Sequence, residues 1–201
     1  ITDYAESPQK AKLYFQSILS KGNSQNIDAA TFGLAYSQVE TAPKEALQLL
    51  NELLKRHPGK IILRIIHAFA LQANNQNKEA IANLEEALSK NPKNYPIADA
   101  LAQLYLKNNL INDYELILVK LSRLYDENPM IWYQLAEAHG LAGNIVELHI
   151  ARAEYYFLTN RTDTAIEQLN LALKKNKVET ITAKIQERMN ELYKIKHDPL
   201  L

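Results

Sequence analysis

The sequence predicts an all-α chain, a right-handed superhelical solenoid of about eleven antiparallel helices. Three observations predict it: prolines that recur after helical patterns, a repeating order of small and large apolar residues, and a helix-rich composition poor in glycine. Pro58, Pro92 and Pro129 each follow a helical pattern. Pro58 and Pro92 are separated by about 34 residues, the period of the tetratricopeptide (TPR) repeat, a hairpin of two helices. Hydrophobic residues make up 47% of the 201 and only 5 are glycine, which supplies a core and argues against global disorder.

Each helix has its own local reason. The first is expected over 8–21, with Ser7 as N-cap, Pro8 at the first position and Gly22 as the stop. The second, over 27–39, carries the small and aromatic pair Gly33 and Tyr36. The third, over 43–56, has Ala46, Leu50 and Leu53 before Pro58, the small–large order a TPR second helix uses where it approaches its neighbours. A helix over 61–73 holds His67 at a core-type position. Ala80, Leu84, Ala87 and Pro92 repeat the second-helix order over 78–90, with Asn77 as N-cap. Ala102 and Tyr105 mark the helix over 95–107, and Asn112 caps the one over 112–126. Trp132, Leu135 and Ala136 occupy first-helix positions over 130–142, which Gly143 ends.

The segment 146–159 either closes one unit or opens the next, and Ala165, Leu169 and Ala172 restore the second-helix order over 163–175. The last helix, over 178–195, puts Ile181, Ile185, Met189 and Leu192 on one side, as a terminal cap over 178–196 would need. Residues 1–201 are expected to form a single repeat domain, a piece of a longer protein. Two irregularities are expected. The step from Pro92 to Pro129 is longer than that from Pro58 to Pro92, implying three extra residues near Asn108 to Tyr114, and the Val39–Pro43 turn reads as one residue short.

Chemistry is harder to find. Basic and acidic residues balance at 23 each, without the cationic excess that displaces phosphate counterions, so nucleic-acid binding is disfavoured. The absence of cysteine removes disulfides, thiolate metal sites and cysteine nucleophiles. No apolar run reaches the roughly 20 residues that span a bilayer. Among the histidines, Glu137 with His139 and Glu147 with His149 are two residues apart, so their side chains diverge by roughly 200° on a helix. The H-E-x-x-H zinc motif is missing, and so are nucleophile-elbow and phosphate-loop motifs. No catalytic residue, metal ligand or cofactor site is expected in this chain.

Function is expected instead on an inner wall built mainly by first helices. Positions that face such a wall hold Ile62, Ile65 and Phe69, then Asp99, Gln103, Leu106 and Lys107, then Met130, Tyr133, Glu137 and Leu141. Ile65, Phe69, Gln103, Leu106, Tyr133 and Glu137 are the candidate protein-binding residues, since apolar and aromatic surface of this kind marks partner sites. Ile62 and Ile65 fit burial between helices equally well. The Lys and Asn pairs with which some TPR modules clamp a chain-terminal carboxylate do not occur at matching positions, which disfavours capture of an acidic chaperone tail; an extended apolar segment, a helix or another domain of the same protein fits better.

One stretch is more specific than the repeat. Trp132-Tyr-Gln-Leu-Ala-Glu-Ala-His139, Gly143-Asn144, His149-Ile-Ala-Arg-Ala-Glu-Tyr-Tyr156 and Ala165-Ile-Glu-Gln-Leu169 resemble the C-terminal TPR region of bacterial periplasmic zinc metalloproteases of the β-barrel assembly-enhancing type. The likeness is strongest over 95–196. It implies a periplasmic module that docks substrate proteins, the outer-membrane barrel-assembly machinery or the parent's own protease domain. It places zinc in that parent's separate catalytic domain and carries no catalytic residue onto this chain. His149, Arg152 and Glu154 match the pattern and are expected to pack or pair. A scaffold TPR protein of another envelope system, for pilus or lipoprotein assembly, is the alternative.

Overall fold

The computed structural model describes residues 7–20 and 27–197. Among them are eleven helices and no strand: α1 (Pro8–Ser20), α2 (Ile27–Gln38), α3 (Pro43–Arg56), α4 (Ile61–Ala73), α5 (Asn77–Lys90), α6 (Tyr95–Lys107), α7 (Ile111–Leu124), α8 (Pro129–Ala142), α9 (Ile145–Leu158), α10 (Thr162–Lys175) and α11 (Glu179–His197). The chain divides into two compact units, one ending at Asn108 and the other beginning at Asn109.

Helix starts keep the repeat more strictly than prolines do. Ile27, Ile61, Tyr95 and Pro129 open α2, α4, α6 and α8 at one constant interval, that of the TPR hairpin. Pro43, Asn77, Ile111, Ile145 and Glu179 open α3, α5, α7, α9 and α11 at the same interval. The expected insertion near Asn108 to Tyr114 is therefore absent. Pro92 and Pro129 are not equivalent landmarks: Pro92 lies in the turn after α5, whereas Pro129 is the first residue of α8. The Asn128 side chain caps α8 by accepting the Met130 N–H, and Asn94 caps α6 by accepting the Ile97 N–H. A proline in the first turn forfeits no intrahelical hydrogen bond, so it can open a helix as readily as follow one. The Val39–Pro43 turn is not short either, because α2 ends at Gln38.

The tight reversals follow the same interval. Asn75, Asn109 and Gly143, one repeat apart in turn, all adopt positive φ (61°, 57° and 78°), a region open to Gly and tolerated by Asn. The Gln76 N–H then bonds the Leu71 carbonyl, and the Asn144 N–H bonds that of His139, closing the helix ends. Gly143 stops α8 as the sequence predicts. The caps expected at Asn77 and Asn112 are displaced, since these reversals start the next helix earlier. Asn77 and Asn112 lie inside α5 and α7, and Gln76 and Leu110 precede them without side-chain capping. Ser7 accepts the Lys10 N–H at 3.4 Å before Pro8, as a cap should; Gly22 lies outside the described residues.

In the first unit each helix from α1 to α6 packs on the next, and α4 also touches α6. Ala46, Leu50, Leu53, Ala80, Leu84 and Ala87 are all buried, as their spacing predicts. Each such leucine contributes about 1.5–3 kcal/mol by leaving water. Gly33 admits α1: a Cβ there would stand 2.4 Å from the Phe15 ring.

In the second unit α7 to α11 pack in succession. Ala165, Ile166, Leu169 and Ala172 of α10 form a core with Ile185 and Leu192 of α11. Arg188 of α11 donates to both oxygens of Glu154 in α9, at 2.8 and 2.6 Å, and to Glu191 at 2.8 Å. Its guanidinium also lies 4.8 Å from the Phe157 ring centroid. Tyr114 of α7 stands one repeat after Ala80 and two after Ala46, yet it is buried, with its hydroxyl 3.1 Å from Glu137 Oε2.

Candidate functional site

The first unit holds an open hollow of about 660 Å³, lined by Phe15 of α1, Phe32 and Tyr36 of α2, Phe69 of α4, and Gln103 and Lys107 of α6. Phe32 and Tyr36 are one helical turn apart, so their rings stack, with centroids 6.3 Å apart. Tyr36 is exposed. Gln103 is also exposed, its amide N–H donating to Asp99 at 2.9 Å. Glu40 joins Lys107 in the lining. The volume falls within the range of known ligand sites, and aromatic walls offer large apolar area at little rotamer cost.

Two of the residues singled out from sequence, Phe69 and Gln103, meet in this hollow. Leu106 is half-buried. Ile65 is buried at 8% exposure, while Ile66 reaches the hollow and Ile62, 51% exposed, faces solvent. One residue of helix rotates a side chain by about 100°, enough to exchange these roles. Phe15, Phe32 and Tyr36 are not among the candidates that the sequence offers. Their signal there is only aromatic spacing on helices that tertiary packing brings together.

No protein-family model matches the chain, and no curated protein does. Solved structures match at low identity. MamA (residues 41 to end) from Desulfovibrio magneticus RS-1 is 14% identical, with 83% of this chain and 95% of that one covered and a TM-score of 0.56. A double mutant of MamA RS-1 (ArsTM) gives 14%, 86%, 97% and 0.56 for the same measures. The Naa15/Naa10 complex bound to HypK-THB is 18% identical over 85% of this chain but only 29% of that one, with a TM-score of 0.51. With helix starts recurring at the TPR interval, this decides the architecture. The fold is a TPR-like helical solenoid.

The second unit of this TPR-like chain presents a different surface. Tyr133 is 54% exposed on α8, and Met130 and Leu141 are exposed on the same helix. The Tyr133 and Tyr155 rings are 5.5 Å apart, those of Tyr155 and Tyr156 5.4 Å, and the Arg161 guanidinium lies 4.5 Å from the Tyr156 centroid. Glu137 is exposed on α8, with one oxygen held by the Tyr114 hydroxyl. Of the family-like residues, His149 Nδ1 lies 2.8 Å from Gln168 and Glu154 pairs with Arg188, whereas Arg152 is exposed.

Four histidines have polar side-chain partners: His57 with Asp28, His67 with Asn51, His139 with Glu115, and His149 with Gln168. Among the described residues no three His, Cys, Asp or Glu side chains gather as a metal ion would require. His67 has a physical consequence of its own. Burial, with Arg64 adding to it, holds its pKa below the usual 6.5. The unfolded chain therefore takes up a proton first as the pH falls. The contribution of His67 to stability is full above about pH 6.5 and is lost as pH drops toward the lower folded value. Substituting His67→Gln is expected to flatten this acid arm. Thermal melts of both proteins between about pH 5 and 8 check it, and parallel curves would refute it.

Proposed function

We propose that this chain is a protein-binding TPR module that grips an extended or helical apolar segment of a partner in the hollow of its first unit. The observation that carries the reading is that open hollow, walled by Phe15, Phe32, Tyr36 and Phe69. Aromatic side chains dominate binding energy where they anchor a partner. The test is a double substitution, Tyr36→Ala with Phe69→Ala. It is expected to weaken partner capture by about tenfold or more, since two anchors are lost, while leaving helicity intact. Photocrosslinking in cells supplies a second measurement: position 103 is expected to capture a partner and buried position 65 to capture none. Normal capture by a folded double variant would overturn the reading.

The finer assignment rests on the resemblance over 132–169. On it, the module serves a periplasmic zinc metalloprotease, docking substrates or outer-membrane assembly machinery. The coding sequence upstream of Ile1 tests this, since it must then encode H-E-x-x-H and a signal peptide. Without them the parent assignment fails, while the binding function of the hollow still stands.

A further inference from the structure

The repeat is broken in one informative place. Counting back from Arg152 one repeat at a time gives Leu118, Leu84 and Leu50, and from Tyr155 it gives Leu121, Ala87 and Leu53. All six are buried. Arg152 is exposed and Tyr155 half-buried, because α9 buries Ala151 and Ala153 instead. A face that α3, α5 and α7 bury is thus turned outward on α9 and given an arginine and a tyrosine. Departures from local rules concentrate at functional sites.

The neighbourhood gives this face a chemistry. Tyr133, Tyr155, Tyr156 and Arg161 form a continuous chain of ring and guanidinium contacts. Arg152 sits three and four residues before Tyr155 and Tyr156, so it shares their side of α9. Neither Arg152 nor Arg161 is ion-paired among the described residues. The carboxylates nearest them in sequence are already paired: Glu154 with Arg188, and Asp163 with Lys196 at 2.5 Å. Two uncompensated guanidiniums beside exposed tyrosine suit carboxylates, which arginine can bind through two parallel hydrogen bonds, while the rings take the apolar side chains between them.

We propose that the Tyr133–Tyr155–Tyr156 face of the second unit, with Arg152 and Arg161, docks an acidic, aromatic-containing segment of a partner protein. Recognition is through side-chain carboxylates, so it needs no Lys and Asn clamp for a chain terminus. The site is separate from the first-unit hollow and does not depend on it.

The test uses the full chain and two fluorescent synthetic peptides, one of alternating Glu and Phe, the other of alternating Lys and Phe. The Glu peptide is expected to bind, more weakly as salt rises, and the Lys peptide to bind at least about tenfold less well. The double charge reversal Arg152→Glu with Arg161→Glu is expected to cut Glu-peptide affinity by about tenfold or more. Its helicity should be unchanged, because neither side chain is buried. Arg152→Gln with Arg161→Gln repeats the loss without added negative charge. Phe69→Ala should leave Glu-peptide binding intact; loss of that binding would place the peptide in the hollow instead and overturn the proposal. Equal binding of the two peptides, or wild-type affinity in the folded charge-reversed or glutamine variant, would overturn the proposal.

Discussion

Replacing Tyr114 with Ala is expected to destabilise the second unit by about 3–5 kcal/mol, the range for deleting a fully buried aromatic side chain. Tyr114 occupies the α7 position where α3 and α5 carry Ala46 and Ala80, so its ring fills space those helices fill by close approach. Alanine there would leave a cavity, and the packed neighbours could collapse into it only partly. The hydroxyl is a smaller part of the loss. Tyr114→Phe removes its hydrogen bond to Glu137 and should cost about 1 kcal/mol, because Glu137 is exposed and can turn to water. The converse change, Ala80→Tyr, adds a ring where none fits and should cost at least about 1–3 kcal/mol. Urea unfolding of the three variants measures the order. A loss below about 1 kcal/mol for Tyr114→Ala would mean that the ring is not packed as described.

Tyr114 also shows what the sequence can and cannot reveal. Helices are legible because apolar residues recur with a helical period, and helix packing because Ala46, Leu50, Ala80 and Leu84 stand where close approach demands them. Register is not legible at Pro129, because proline marks a helix start as readily as an end, and only backbone geometry separates the two. The site is legible in part. Phe69 and Gln103 follow from helical phase, but the choice between Ile65 and Ile66 turns on one residue of rotation. Phe15 and Phe32 lie on different helices and meet through Gly33, a relation no periodicity encodes. Arg152 and Tyr155 stand out in the sequence only as part of a motif. Their meaning emerges beside the buried leucines one, two and three repeats earlier.

Substituting Ile185→Ala should release α11 locally while the first unit stays folded. Among the helices α11 packs chiefly on α10, where Ile185 and Leu192 are almost fully buried against Leu169 and Ala172. Losing the isoleucine is expected to cost about 2–5 kcal/mol. In a repeat array each element answers mainly to its neighbours, so the loss should appear as local opening rather than global unfolding. Hydrogen exchange resolves the two: amides of α11 should exchange faster, followed by those of α10, with α3 and α5 unchanged. Arg188→Ala should act on the same helix by about 1–3 kcal/mol, since it strips a guanidinium from Glu154, whose side chain is only 17% exposed. The two losses should be less than additive if α11 leaves as one body, because once it has opened neither contact remains to be lost. Faster exchange throughout the first unit in Ile185→Ala would instead show that this helix holds the whole chain together, and the local account would fail.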